Sequence, residues 1–367
     1  MLTHFIRTWG ANAHIIENHI SDSYTKIAND VGIATITVPA DHPAVWGLEI
    51  DDQIEIYRGN QYPTFRVDHY MDWRGLYRGH TLRTLPDGRE VADLFAFHEN
   101  EILNRAIDAY WFGFSSVTKF TGVATYTIMQ TMINDNFNGV LGSTFGSYIR
   151  GMQATTRGVV IGALGLGSTA SGDFETAQRN VLSILQELAA LDGSVFMLTK
   201  TSSTATDWGF YVYPLTFATD RRTTVFFEMR RENMADLQLD LRKVGAITSV
   251  NVGGQGDGGG RQYWARESAD HDLLTNHIES YIDARNTETV DGLISIGDSY
   301  LKRTEARPIL RYRPVQQPLM AYGKHYYWGD IVTARHGGNS YEQRIMQVAV
   351  TYDESGETIQ LGLEDLP

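Results

Sequence analysis

The sequence has no cysteine, which excludes disulfide frameworks, thiolate zinc sites, iron–sulfur clusters and cysteine nucleophiles together. Basic residues are scarce relative to acidic ones: 31 Lys and Arg face 44 Asp and Glu, for a formal net charge of -13. Such a surface stays hydrated and repels nucleic-acid phosphates at long range, so no stable nucleic-acid binding is expected. Long apolar runs are absent too. No stretch approaches the roughly 20 consecutive apolar residues of a membrane helix, so no direct membrane span is expected. The start, Met1-Leu2-Thr3-His4, lacks the basic-then-apolar pattern of a signal peptide.

What remains is an ordinary globular composition, 42% hydrophobic and 20% charged, which excludes disordered and collagen-like classes. At 367 residues the chain exceeds the usual span of one core, so two to three modules are expected. The 35 glycines, 19 tyrosines and 7 tryptophans suit short strands, tight turns and amphipathic contact surfaces.

Periodicity divides the chain in three. Over residues 1–110, Ile33 to Val38, Gln53 to Tyr57 and Phe65 to Val67 alternate at a period of two, separated by turns at Pro39 to Pro43 and Arg58-Gly59-Asn60. A short helix from Glu99, with Ile102, Leu103, Ala106, Ile107 and Tyr110 at helical spacing, closes this first β-barrel module. Residues 111–232 form a mixed α/β module. Its helix is expected from Asp173 as N-cap through Phe174, Ala177, Val181, Leu185 and Leu188 to Gly193, followed by strands at Val195 to Leu198, Phe210 to Tyr213 and Thr223 to Phe227. Residues 233–367 form a second barrel-like module. It contains a helix from Ser268 with Leu273, Leu274, His277, Ile278, Tyr281 and Ile282 on one face, and a terminal meander of Asp330 to Thr333, Arg344 to Tyr352 and Thr358 to Leu361. The expected fold class is mainly β with an α+β insertion: two small antiparallel β-barrel modules, a mixed middle region and a terminal meander.

The chemistry-bearing patterns all have structural explanations. Gly254-Gln255-Gly256-Asp257-Gly258-Gly259 satisfies G-x-G-x-x-G after a strand-like Ile247 to Val252, but Arg261 to Ala265 reads as strand where a dinucleotide site needs a helix. The glycine cluster Gly158 to Gly172 lacks Gly-Lys-Ser/Thr and reads as a loop. His14 and His19, and the group Asp270, His271, Asp272, His277 and Glu279, match no metal-ligand spacing. Arg221-Arg222 and Arg230-Arg231 flank a strand and read as a solvated strand end or a salt bridge between subunits rather than a phosphate contact. No G-x-S-x-G elbow is present. No catalytic, cofactor-binding or metal-binding residue is therefore assigned, no cofactor is expected, and the chain is not expected to be an enzyme.

Several stretches carry a resemblance. They are Val250-Asn251-Val252-Gly253-Gly254-Gln255-Gly256-Asp257-Gly258-Gly259-Gly260-Arg261 with Tyr281-Ile282-Asp283-Ala284-Arg285, and Tyr322-Gly323-Lys324-His325-Tyr326-Tyr327-Trp328-Gly329-Asp330-Ile331-Val332-Thr333 with Arg344-Ile345-Met346-Gln347-Val348. Thr37-Val38-Pro39 and Asp51-Asp52-Gln53-Ile54-Glu55-Ile56-Tyr57 belong with them. Together they cover about half the chain, and they resemble the tail-hub, or baseplate-hub-like, structural proteins of siphophages. The resemblance implies two barrel domains with an inserted and an appended domain, three copies closing a ring, and pseudo-sixfold symmetry that matches a hexameric tail tube to a trimeric tip or fibre. It implies a place at the virion tail tip after assembly in the host cytoplasm. The implied partners are further copies of the chain and other tail proteins: distal tail ring, tape measure, and tip or fibre proteins. It brings no catalytic residues, and the acidic balance suits the wall of a channel that passes DNA. Two alternatives stand beside it: a receptor- or carbohydrate-binding tail protein using Trp111, Trp208 or Trp264 as sugar platforms, and a cell-wall hydrolase built on a carboxylate pair.

Overall fold

The computed structural model describes residues 2–366 apart from 11–12, 17, 62–66, 109–117, 139–147, 150–151, 154–158, 162–170, 177–178, 201–207, 214–218, 242–244, 286, 288 and 306–308. The region is built of strands: β1 (Leu2–Trp9), β2 (Ile15–Ile16), β3 (Ser21–Ile27), β4 (Ile33–Pro39), β5 (Gln53–Gln61), β6 (Val67–Thr84) and β7 (Glu90–His98); β4 and β5 are the expected runs from Ile33 and Gln53, whereas Phe65 and Arg66 of the third lie outside the described residues. In β4 and β5 the inward positions Ala34, Ile36, Val38, Ile54 and Ile56 are buried, as a strand with one covered face requires. Arg58-Gly59-Asn60, expected as a turn, lies inside β5, where pairing with β6 extends the strand through it.

These strands do not form a barrel of their own. One eleven-stranded sheet runs in the order Phe226–Glu228, Ile331–His336, Asn339–Asp353, β3, β4, β7, β6, β5, β1, β2, with Gly356–Asp365 on the other side of Asn339–Asp353. The β-rich class with a mixed insertion holds, and the terminal meander is present as two successive antiparallel pairings. The barrels are corrected: no sheet among the described residues is closed. The long strand Asn339–Asp353 pairs with β3, Val350 facing Tyr24, so strands from both ends of the chain share one open sheet and one core.

The middle region has its own core, in which Val181, Leu185 and Leu188 pack against Phe196 and Phe210. The helix there is Val181–Asp192. It begins later than the sequence suggests, because Asn180 caps it by accepting from the Ser183 amide at 3.1 Å. Asp173 lies instead in strand Ser171–Thr176, paired with Thr118–Ala124. The stop is as expected: Gly193 adopts φ 70°, the left-handed conformation glycine accepts without penalty. Strand Val195–Lys200 is tied to the main sheet by side chains. Asn29 donates to the Ser194 carbonyl and accepts from the Phe196 amide, and Asn100 accepts from the Leu198 amide. The helix expected from Glu99 is a single turn, Glu101–Asn104, with Ile102 and Leu103 buried; Tyr110 lies outside the described residues.

In the last third, Ser249–Gly253 is the central strand of a small sheet, antiparallel to Tyr263–Glu267 and parallel to Glu279–Asp283. The helix expected from Ser268 is not there. The Asp272 carboxylate accepts from the Leu274 and Thr275 amides and the Thr275 hydroxyl, a turn that competes with helix formation, and Leu273 and Leu274 are exposed. The helix lies further on, at Val290–Thr304, capped by Thr289 and covering one face of the small sheet through Leu293 and Leu301 on Val250 and Val252.

Candidate functional site: a buried ionic seam and an exposed aromatic face

The most concentrated polar chemistry lies where the main sheet stays open. The described ladders join β1 to β2 and β5, yet a β1 side chain reaches β3 and the C-terminal strand. Alternation turns His4, Asp22 and Glu357 inward, and all three side chains are essentially without exposure. His4 Nδ1 lies 3.0 Å from both Asp22 oxygens, and Nε2 lies 2.9 Å from Glu357 Oε1. The ring stacks on Tyr352 at 4.4 Å, and His19 Nε2 approaches Asp22 at 2.7 Å. Side-chain bonds thus cross a gap that the described ladders do not close.

The cluster continues inward. Arg58 on β5 holds Glu357 bidentately, Nε and Nη2 each at 2.5 Å, the planar fork matching the carboxylate. Its Nη1 donates to Tyr70 Oη and to the Tyr322 carbonyl. Asp72 accepts from Tyr24 Oη at 2.6 Å, Lys26 Nζ at 3.0 Å and Tyr322 Oη at 3.2 Å. Gly323 makes the approach possible: at φ +77°, a Cβ there would lie 1.7 Å from Tyr70 Oη.

Burial opposes every charge here, and the partners decide the outcome. Burial lowers the pKa of His4, but bonds to Asp22 and Glu357 outweigh it and the net shift is upward. Burial raises the pKa of Asp22, Glu357 and Asp72, but their cationic partners hold all three below the usual carboxylate range. With His4 protonated, the imidazolium, Arg58 and Lys26 balance the three carboxylates. His98 behaves oppositely: burial, with Lys26 and Arg74 nearby, drives it down to about 3, and it stays neutral. The carboxylates and the His4 imidazole of the seam are buried, and Lys26 is 26% exposed. The chemistry of the seam is that of a clamp between β1, β3, β5, β6 and the C-terminal strand.

The remaining sequence patterns fall elsewhere. The G-x-G-x-x-G stretch is a hairpin loop: Gly254 N donates to Gln262 O at 2.8 Å, and the next elements are a short 3₁₀ turn, Gly258–Gly260, and a strand. His14 does not join His19; its amide donates to Thr8 Oγ1. His271 Nε2 lies 2.7 Å from His277 Nδ1, and His277 meets Glu279 at 3.0 Å. Among the described residues no group of three or more His, Asp or Glu side chains is arranged so that it could hold a metal ion. Arg221 pairs with Asp330, Arg222 with Asp220 and Glu342, and Arg231 approaches Glu228 at 3.7 Å, whereas Arg230 is simply exposed. Trp208 is buried against Lys200 and cannot serve as a platform, Trp264 is 40% exposed, and Trp111 and most of the second glycine cluster lie outside the described residues. Sequence reasoning missed the seam, because His4, Asp22, Arg58 and Glu357 share no spacing. A sheet brings them together.

A second feature is an aromatic face. On the side of the small sheet away from its helix, the Arg261 guanidinium sits between Tyr263 and Tyr281, 5.6 and 5.9 Å from their ring centroids. It donates to the carbonyls of Gly253 and Gly254 and pairs with Asp283.

This architecture is that of phage tail proteins. The 43 kDa tail protein of prophage MuSo2 from Shewanella oneidensis is similar over 98% of each chain, with TM-score 0.59 and 12% identity. A tail protein from Neisseria meningitidis MC58 is similar over 100% of this chain and 96% of its own, with TM-score 0.62 and 10% identity. The c3393 protein of E. coli, a type VI secretion component described as similar to the T4 tail proteins gp27 and gp5, is similar over 99% of this chain and 77% of its own, with TM-score 0.50 and 9% identity. At these identities the likeness is one of fold. No curated protein matches the sequence. Residues 11–363 match the siphovirus ReqiPepy6 Gp37-like proteins, and the chain belongs to that family.

Proposed function

We propose that the chain is a structural hub of a siphophage tail tip: three copies form a ring that adapts the hexameric tail tube to the tip or fibre and encloses the DNA passage, without catalysis. The supporting observation is likeness over essentially the whole chain to two solved tail proteins, within a siphovirus family. The likeness to an E. coli secretion component that is itself described as similar to T4 tail proteins is in keeping with a tail role. The seam fits it physically, since a ring component must keep its strands in register under load from its neighbours, and buried, hydrogen-bonded charges favour one register. Three modules are proposed as its organisation, residues 1–110, 111–232 and 233–367, with Phe226–Glu228 of the second adding a strand to the main sheet that the other two build. Partners are further copies and neighbouring tail proteins.

Immunogold labelling of intact tails tests the position. Gold confined to the distal end supports the hub, and gold along the shaft or at the head rejects it.

A further inference from the structure

We propose that the open face of the small sheet, built on Tyr263, Arg261 and Tyr281, is the docking surface for a basic patch on a different tail protein. The proposal rests on the tail-hub reading above and names a partner surface for it.

The face is prepared in advance. Its central strand is covered on one side by the helix Val290–Thr304 and open on the other. Tyr263 and Tyr281, on the two outer strands, are each 51% exposed. Between them Arg261 is only 10% exposed, fixed by two backbone carbonyls and Asp283. A Cβ at Gly253 would lie 2.2 Å from Tyr281 Oη and 3.0 Å from Arg261 Nη2, so the glycine is what lets the stack lie flat on the sheet. Tyrosine and arginine held rigidly on a strand surface are the side chains that dominate protein interfaces, because little conformational freedom is lost on contact. The module that carries them buries few apolar side chains of its own, chiefly Val250, Val252, Leu293 and Leu301, while Tyr263, Trp264 and Tyr281 are exposed.

Charge selects the occupant. Residues 246–305 contain ten carboxylates and five Lys or Arg. A second copy docking through this same module would set acidic module against acidic module, and like charge opposes that contact; anionic lipid and nucleic acid are opposed on the same ground. A basic protein surface is favoured on both counts, its cations meeting the carboxylates and the electron-rich tyrosine faces.

The test uses tails from a phage whose gene for this chain carries a stop codon, incubated with the purified full-length chain. Wild-type protein is expected to join the tails, less so as NaCl rises from about 50 to about 500 mM. Tyr263→Ala/Tyr281→Ala, with unchanged circular dichroism and solution mass, is expected to join roughly ten-fold or more weakly. A photo-crosslinker in place of Tyr263, which needs no folding control beyond assembly itself, is expected to attach to a basic segment of another tail protein. If wild type does not join, the tail reading falls and this proposal with it. If wild type and the double variant join equally, or the crosslink lands on a second copy or an acidic segment, this proposal alone is overturned.

Discussion

Replacing Glu357 by Gln probes the seam most sharply. Glu357 accepts both arms of Arg58 at 2.5 Å and His4 Nε2 at 2.9 Å, from a position 1% exposed. A carboxamide keeps one acceptor and turns an NH₂ towards a group that also donates, leaving Arg58 and His4 buried without full compensation. Removing one partner of a buried ion pair costs about 3–5 kcal/mol, a fall in Tm on the order of 6–20 °C at about 2–4 °C per kcal/mol. The pH dependence identifies the cause. His4 is raised in the folded chain, so its stabilisation is complete below its ordinary value of about 6.5 and is lost as pH climbs through the raised value. Glu357 is lowered, so its stabilisation is present above its ordinary value of about 4.3 and is lost as pH falls through the lowered one. The gap between wild type and Glu357→Gln should be widest between about pH 4.5 and 6.5 and narrow on both sides. Denaturant unfolding across pH measures it, and hydrogen exchange in peptides covering residues 2–9, 53–61 and 356–365 localises it. A difference under about 1 kcal/mol, flat with pH and no larger than that of the surface change Glu342→Gln, would refute the clamp.

Other substitutions test neighbouring parts. His98 is held down to about 3, so it destabilises the fold as pH drops below about 6.5, where the unfolded chain binds the proton and the folded one does not; His98→Gln should flatten the acid limb of the stability curve in denaturant titrations. Gly323→Ala, at φ +77° with Tyr70 Oη 1.7 Å from the added carbon, should cost about 2 kcal/mol or more in thermal unfolding, from strain and a displaced Arg58 partner. Leu185→Ala, fully buried in the middle core, should cost about 2–5 kcal/mol.

The legible parts of the fold were those fixed by local pattern. Ala34, Ile36 and Val38 alternate and form a strand; the Gly-Asp turn before Ile331 and the runs from Arg344 and Thr358 form the meander. The resemblance pointed to the family on about half the chain, and the match extends from 11 to 363. Errors arose where a tertiary or short-range bond outweighed periodicity. Leu273, Leu274, His277 and Ile278 sit at helical spacing, but the Asp272 turn and the parallel pairing of Glu279–Asp283 win. Asp173 resembles a cap, but pairing with Thr118–Ala124 draws it into a strand and leaves capping to Asn180. Barrel closure cannot be read from alternation, which fixes the face of each residue and not the order of strands. The seam was invisible for the same reason: His4 and Glu357 are 353 residues apart.

The most direct test of the central claim is the solution mass of the purified chain by light scattering over a range of concentrations. For a protomer of 41.2 kDa, the ring-forming hub predicts a species of about three times that mass, held or populated with concentration through head-to-tail contacts. A species fixed at 41.2 kDa at every concentration, unchanged when tail proteins are added, would contradict it.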